Sequence, residues 1–227
     1  MTLNRLRGGL IVSCQPVTGG PMDQPEIVAA FALAALDGGA VGLRIQGVAN
    51  LVAVRAVTDA PIIGIVKVDL PESPVRITPL LEHVAALAEA GADIVAIDAT
   101  DRHRPVPIDE LVRAIRDNGI IAMADCATAA QAWQSVELGF DVLGSTLSGH
   151  IGGPIPEGPD LELVSRMASM GRFVVAEGRY QSPKDARAAI RSGADAVVVG
   201  SAITRPEHIT SWFVAAIRGT PKSEMPI

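Results

Sequence analysis

Residues 173–206 have the sequence FVVAEGRYQSPKDARAAIRSGADAVVVGSAITRP, which predicts strand, loop, helix, strand, loop and helix start. The apolar run 173–176 is too short for a helix and stops at Glu177, Gly178 and Arg179, where polar and flexible residues begin. A carboxylate therefore lies at the C-terminal end of a predicted strand.

The helix and second strand of this stretch follow at once. Ser182 is a plausible N-cap, Pro183 suits the first turn, and the helix is expected to close around Ser192-Gly193. Strand 195–199 then ends in Gly200-Ser201, a turn whose small residues let backbone N–H groups approach an anion. Two parallel strands with glycines at their C-terminal ends predict a phosphate site. Its residues are Gly178, Arg179, Gly200 and Ser201.

The same pattern of apolar strand, polar terminus and helix recurs along the whole chain. The predicted strands are 9–13, 40–45, 62–66, 93–97, 119–124, 141–144, 173–176 and 195–199. A glycine-led joint between helix end and strand start recurs about every fifty residues, the length of two βα units. The pattern predicts one α/β domain over 1–218, a closed (β/α)₈ barrel, with a poorly ordered tail over 219–227. Thr78-Pro79 is expected to cap the helix that follows strand three.

Composition excludes several classes of function. The 227 residues are 48% hydrophobic, 3% aromatic and carry a formal net charge of −6, which argues against nucleic-acid binding. No run approaches 18 apolar residues and the N-terminus lacks a signal-length apolar region, so a soluble, cytoplasmic protein is expected. The two cysteines, Cys14 and Cys126, fall at strand ends and predict reduced thiols.

In a (β/α)₈ barrel, polar residues that end the strands meet at one mouth. These residues are Gln15, Arg44, Lys67, Asp98, Asp125, Thr146 and Glu177, with the Gly200-Ser201 turn. Their spacing fits no metal site, and no cofactor is required. A desolvated Lys67 could act as a base or as a Schiff-base amine, with Glu177 as a second proton carrier. Arg44 suits an oxyanion or a carbonyl oxygen.

Structural roles compete with these functional ones. Arg44, Asp98 and Asp125 could equally form ion pairs with one another, and Gly200-Ser201 could be only a tight turn. Cys126 has no histidine partner and is expected to be a buried filler.

Several segments, in order, resemble the N-acylglucosamine-6-phosphate 2-epimerase family, also called N-acetylmannosamine-6-phosphate 2-epimerase. They are GGLIVSCQ (8–15), GAVGLRIQG (39–47), PIIGIVKVDLPES (61–73), ITP (77–79), EAGADIVAIDAT (89–100), MAD (123–125), LGFDVLGSTLSG (138–149), VVAEGR (174–179) and GADAVVVGSAITRP (193–206). The resemblance covers nearly the whole chain. It departs from the family pattern at the loop positions Val68, His150 and Tyr180.

This resemblance implies a ribulose-phosphate-binding type of barrel that interconverts N-acetylmannosamine 6-phosphate and N-acetylglucosamine 6-phosphate in sialic acid catabolism. It implies Lys67 as catalytic acid/base, Glu177 as its partner, and Arg44, Asp125 and Arg205 as substrate-positioning groups. A homodimer is expected because barrels of this type often pair. Two alternatives stay open: an aldolase-type lyase that forms a Schiff base on Lys67, and a non-catalytic sugar-phosphate-binding barrel.

Overall fold

The computed structural model describes residues 2–152 and 154–219. Eight parallel strands form a closed barrel in the order β1 to β8, which confirms the predicted (β/α)₈ fold. The strands are β1 Leu10–Cys14, β2 Gly42–Gln46, β3 Ile62–Ile65, β4 Ile94–Asp98, β5 Ile121–Asp125, β6 Val142–Gly144, β7 Phe173–Ala176 and β8 Ala196–Val199. The helices are α1 Thr2–Leu6, α2 Pro25–Asp37, α3 Val48–Arg55, α4 Leu81–Glu89, α5 Ile108–Asp117, α6 Ala129–Glu137, α7 Leu161–Ala168, α8 Pro183–Arg191, α9 Ser201–Thr204 and α10 Pro206–Arg218.

Side chains alternate between two cores along each strand, as a closed sheet requires. One core lies between the strands and the outer helices, with Leu43, Val95 and Val197 among its members. The other fills the barrel and includes Ile63 and Val175. This alternation decides which residue at each strand end faces the interior.

Helix α1, which the sequence pattern did not predict, closes the end of the barrel opposite the site. Leu6 is buried with the interior core, and Gly42 on β2 leaves it room, because a β-carbon at position 42 would collide with the Leu6 side chain. The amide of Gly8 donates to the carbonyl of Asp195 at 2.6 Å, which joins this segment to β8. The barrel floor is therefore a packed plug.

Three aspartates tie neighbouring strands together near that floor. Asp93, Asp141 and Asp195, the strand-start aspartates, each accept a hydrogen bond from a backbone amide near the start of the preceding strand, at 2.9, 3.1 and 2.8 Å. The glycine two residues before each aspartate has a positive φ, of 88°, 89° and 100° respectively, which favours glycine. The recurring glycine-led joint in the sequence is thus a structural device.

The helix caps and one strand can be compared with the predictions from the sequence. Ser182 caps α8 by accepting from the Asp185 amide, as expected, and β7 spans the predicted residues. The predicted Thr78-Pro79 cap is wrong: α4 begins at Leu81, and its N-cap, Leu80, makes no side-chain cap hydrogen bond. Thr78 is instead fully buried in a turn with φ of 46°.

Two further findings concern the C-terminal part of the chain. The short helix α9, which the sequence pattern did not predict, intervenes between β8 and α10. The predicted tail lies outside the described residues except for Gly219, the left-handed C-cap of α10. None of the helices described in 2–152 and 154–219 has the length and apolar character needed to span a membrane.

Candidate active site

The acid/base candidates Lys67 and Glu177 share the inward-facing register. Two residues before them in sequence lie Ile65 and Val175, both in the core inside the barrel. A period of two therefore carries the interior face of each strand into the loop that follows it. The strand C-terminal ends gather these side chains at one mouth, as in other barrels of this fold.

A buried network forms the centre of this mouth; we call Arg44, Asp125, Thr146 and Glu177 the Arg44 network. Nη2 of Arg44 lies 2.6 Å from Oδ2 of Asp125, and both side chains are fully buried. Nη1 of Arg44 lies 3.1 Å from Oε2 of Glu177, whose side chain is 13% exposed. Thr146 donates from Oγ1 to Oδ1 of Asp125 at 2.6 Å. Arg44 and Asp125 therefore form an ion pair, and Glu177 closes the network towards solvent.

Lys67 follows β3 and stays exposed at the mouth. Loss of hydration among the surrounding protein atoms lowers the pKa of its amine to about 8, and repulsion by Arg44 and Arg205 acts in the same direction. Attraction to Glu177 and Asp125 opposes this shift. At neutral pH a useful fraction of Lys67 is therefore neutral and able to accept a proton.

Burial moves the pKa of Glu177 in the opposite direction. Loss of hydration raises the pKa of its carboxyl, with repulsion from Asp125 adding to the rise, while Arg44, Lys67 and Thr146 oppose it. The pKa of the lysine thus falls while the pKa of the carboxyl rises, so the two approach each other. Such convergence is what reversible proton transfer near neutral pH requires.

Ser145 holds the backbone of Glu177 in place, a role that the sequence pattern did not reveal. Its Oγ accepts from the Glu177 amide at 3.0 Å and donates to the Glu177 carbonyl at 2.8 Å. Ser145 is buried. Only its place directly after β6 could have signalled this role, and many loop serines share that place.

Arg205 and Gln15 lie together at another side of the mouth. Nε of Arg205 donates to the backbone carbonyl of Gln15 at 2.7 Å, and the two Nη atoms take no part in this hydrogen bond. The side-chain amide of Gln15 donates to Oγ of Ser13 at 2.6 Å. Arg205 is therefore held by the backbone just after β1, and Gln15 by Ser13 on β1.

Asp98 faces the mouth but is engaged by its own loop. Oδ1 accepts from both the amide and the hydroxyl of Thr100, at 3.0 and 2.6 Å, and Oδ2 lies 2.5 Å from Nη2 of Arg102. Arg104 donates to the Asp98 carbonyl at 2.7 Å. The structure thus places Asp98 outside the Arg44 network, in the structural ion pairing that the sequence left open.

The predicted phosphate residues divide into two groups. Gly178 and Gly200 end β7 and β8, and within the described residues the amides of Gly178, Arg179 and Gly200 donate to no protein acceptor. The guanidinium of Arg179 turns instead to the loop after β6, where it donates to the carbonyls of Ser148 and Gly158. The free amides suit an anion, whereas the Arg179 side chain braces the neighbouring loop.

The remaining polar candidates lie away from this chemistry. Both cysteines are free and buried, and Cys126 contacts Ser135 on the helix side of β5, as expected for a filler. Across 2–152 and 154–219, no group of three or more His, Cys, Asp or Glu side chains is placed to hold a metal ion.

The fold and the mouth together define the class of the protein: a (β/α)₈ barrel whose C-terminal mouth carries a lysine and a glutamate beside a buried arginine–aspartate pair. Residues 28–219 match the model of a family described as "NanE: Putative N-acetylmannosamine-6-phosphate epimerase". The chain belongs to this family, which confirms the resemblance found in the sequence.

Relatives agree with that assignment over nearly the full chain. A protein of Actinobacillus pleuropneumoniae serotype 3 (strain JL03), named "Putative N-acetylmannosamine-6-phosphate 2-epimerase", is 58% identical over 216 residues, which cover 95% of this chain and 94% of the relative. A protein of the same name from Haemophilus influenzae is 55% identical over 216 residues, with 95% of each chain covered. The solved N-acetylmannosamine-6-phosphate 2-epimerase of Clostridium perfringens has a TM-score of 0.92 and 36% identity, covering 95% of this chain and 96% of that one.

Proposed function

We propose that this protein interconverts N-acetylmannosamine 6-phosphate and N-acetylglucosamine 6-phosphate by removing and returning the proton at C2. The relatives are named for the epimerisation of this substrate. In the open-chain sugar C2 lies next to the C1 aldehyde, so its proton can leave to form an enolate-like intermediate. The observation that carries the proposal is the presence at one mouth of Lys67, which follows β3, and Glu177, which lies 3.1 Å from the buried Arg44. The lowered pKa of Lys67 and the raised pKa of Glu177 agree with it.

In this proposal Lys67 is the base and Glu177 the second proton carrier. Two arrangements fit: either each residue serves one face of C2, or Lys67 serves both faces while Glu177 controls its protonation. Arg44 is fully buried, which favours an electrostatic role over direct contact with the substrate. Its charge holds Asp125 and Glu177 and disfavours the protonated form of Lys67.

For the phosphate group we propose the free amides of Gly178, Arg179 and Gly200, with Ser201 beside them. Arg205 and Gln15, on the neighbouring side of the mouth, are proposed to orient the sugar, with Thr146 next to Glu177. The guanidinium of Arg179 is proposed to act indirectly by bracing the loop after β6. Asp98 is proposed to shape the mouth through its own loop.

The alternative activities are not favoured. A lyase using Lys67 would form an imine with the substrate carbonyl, and a non-catalytic barrel would bind without turnover. The relatives over nearly the whole chain are named epimerases, and a second proton carrier at the mouth, Glu177, suits inversion better than imine chemistry. Borohydride reduction with substrate present would trap the lysine of a lyase.

The test is proton NMR of N-acetylmannosamine 6-phosphate with the protein in D₂O. We expect N-acetylglucosamine 6-phosphate carrying deuterium at C2 from the wild type, and none from Lys67→Ala. Lys184→Ala is the matched control, because Lys184 is an exposed lysine on α8 and its removal should leave exchange unchanged. Absence of both exchange and product with the wild type would refute the proposal.

Glu177→Ala separates the two arrangements of bases. If each residue serves one face, this variant exchanges deuterium into the starting sugar without inverting it. If Lys67 serves both faces, exchange and inversion fall together.

We also propose a cytoplasmic homodimer. Helix α10 leaves Phe213 and Ile217 exposed by 68% and 84%, an apolar surface that pairing would cover. The two free thiols suit a reducing compartment. Sedimentation of wild type and Ile217→Glu tests the pairing: a wild-type monomer would contradict it.

A further inference from the structure

A short antiparallel hairpin carries Lys67. Residues 66–68 pair with residues 76–78, with Lys67 directly opposite Ile77. The amide of Val68 donates to the carbonyl of Arg76 at 3.1 Å, and the amide of Thr78 donates to the carbonyl of Val66 at 2.7 Å. The lysine is therefore held in extended backbone beyond the end of β3.

Thr78 binds Val66 a second time through its side chain. Its Oγ1 accepts from the Val66 amide at 3.2 Å, so one residue satisfies both backbone polar groups of the residue before Lys67. Thr78 is fully buried. The peptide that leads into Lys67 is thus fixed from both sides.

The backbone of Thr78 is strained in order to make this contact. Its φ of 46° is in the left-handed region, which a β-branched residue rarely adopts. Strain of this kind persists where the surroundings enforce it, often at functional sites. Glycine would adopt this φ without strain, so the hydrogen bond from the Val66 amide to its side chain is what a threonine supplies at this position.

Ile77 fixes the direction in which Lys67 points. Directly opposed residues of an antiparallel pair project to the same face of the ribbon. Ile77 packs into the core inside the barrel, and its carbonyl accepts from the Asp98 amide at 3.0 Å, which anchors the hairpin to β4. Lys67 is thereby aimed at the mouth.

We propose that Thr78 is a positioning residue that fixes the backbone of Lys67, through Val66, so that the lysine amine is held facing Glu177. The inference deepens the proposed function and rests on it, since it gives Lys67 the acid/base role. Thr78 lies on the returning strand of the hairpin and acts only through Lys67.

Three variants test this role. Thr78→Val keeps the shape and the β-branch but removes the acceptor, whereas Thr78→Ser keeps the hydroxyl. Thr58→Val is the matched control, because Thr58 also accepts from a backbone amide, that of Ala60 at 3.1 Å, at the other end of β3. If Thr78→Val does not fold, Thr78→Gly replaces it, since glycine lacks the hydroxyl and adopts positive φ without strain.

The first readout needs no substrate. Competitive labelling of amines across pH, followed by mass spectrometry, gives the pKa of Lys67, with exposed Lys184 as internal reference. In the wild type we expect a pKa of about 8 for Lys67, and in Thr78→Val a rise towards the ordinary lysine value of 10.5, because the freed amine gains hydration. Thr78→Ser and Thr58→Val should titrate like the wild type.

The second readout is the epimerase reaction. We expect Thr78→Val to lower kcat roughly 10- to 100-fold with KM changed less than about threefold, because a small misplacement of the base costs rate more than binding. Thr78→Ser should restore most of kcat. A merely structural role would instead lower the amount of folded protein and leave the kcat of that fraction unchanged.

Two results would overturn the proposal: Thr78→Val titrating at Lys67 like the wild type, or folded Thr78→Ser impaired as severely as Thr78→Val. Failure of the proposed function looks different. In that case Lys67→Ala would retain turnover, or the wild type would show none, and the labelling of Lys67 in Thr78→Val would still decide the positioning role by itself.

Discussion

Replacing Asp125 with asparagine removes the negative charge from the centre of the Arg44 network. Asp125 and Arg44 are both fully buried, 2.6 Å apart. Breaking a buried ion pair by removing one partner typically costs 3–5 kcal/mol, because the remaining charge stays desolvated. Glu177 stays 3.1 Å from Arg44 as a second counterion, which brings the expected cost to the lower end, about 3 kcal/mol.

Urea denaturation at neutral pH measures this cost. Asp125→Asn should lower the denaturation midpoint with an unchanged m-value, since the surface exposed on unfolding stays the same. Asp93→Asn is the matched control: Asp93 lies at the same 2.6 Å from Arg55, but the two side chains are 34% and 25% exposed. Partly exposed pairs contribute little, so this control should cost under about 1 kcal/mol.

The same variant also changes the ionisation of Lys67. Asp125 raises the pKa of that amine, so its loss should move the pKa of Lys67 below about 8, as measured by competitive labelling. Equal destabilisation by Asp125→Asn and Asp93→Asn would refute the argument that burial, rather than distance, gives the network its strength. A higher pKa for Lys67 in Asp125→Asn would refute the electrostatic account.

Two more predictions concern the ionisation of Lys67 and of the two cysteines. The rate of epimerisation should rise about tenfold per pH unit below pH 8 and level off above it. The reason is that the neutral Lys67 amine accumulates as the pH rises through its pKa of about 8. A rate independent of pH between 6 and 9 would contradict Lys67 as the base. Burial raises the pKa of the Cys14 and Cys126 thiols to about 12. A thiol reagent should therefore label neither cysteine in the native protein at pH 8 and both after unfolding. Rapid labelling of the native protein would contradict their burial.

The eightfold repeat of strand and helix predicted the barrel, and the polar residues at the strand ends predicted which side chains gather at the mouth; the period of two along each strand explains why they do. Once Ile63 and Ile65 face inward, Lys67 is constrained to do so, and the same holds for Glu177 after Val175. The ends of the strands are therefore legible in the sequence. Because the register of the strands is fixed, the side chain that faces the interior at each strand end can be predicted without knowing the structure of any loop.

Loops decided the features that the sequence could not supply. The sequence placed Asp98 and Arg179 at strand ends but did not reveal their protein partners, which are Thr100 and Arg102 for the first and the carbonyl of Ser148 for the second. Which way a loop turns depends on contacts distant in sequence. Thr78 was misassigned for the same reason: a threonine before proline resembles a helix cap, and only the returning hairpin reveals its contact with Val66.

The strand-start aspartates also bear on how the ring assembles. Their bonds to the preceding strand span only 31, 19 and 21 residues, so each joins two strands across one helical connection at modest entropic cost. The pairs β3–β4, β5–β6 and β7–β8 are thus each linked by a contact that is local in sequence. Closure of the barrel between β8 and β1 depends on distant contacts instead, such as that of Asp195 with Arg7, 188 residues away. The Asp195 carboxylate therefore takes part both in the local contact between β7 and β8 and in a contact between the two ends of the barrel's chain.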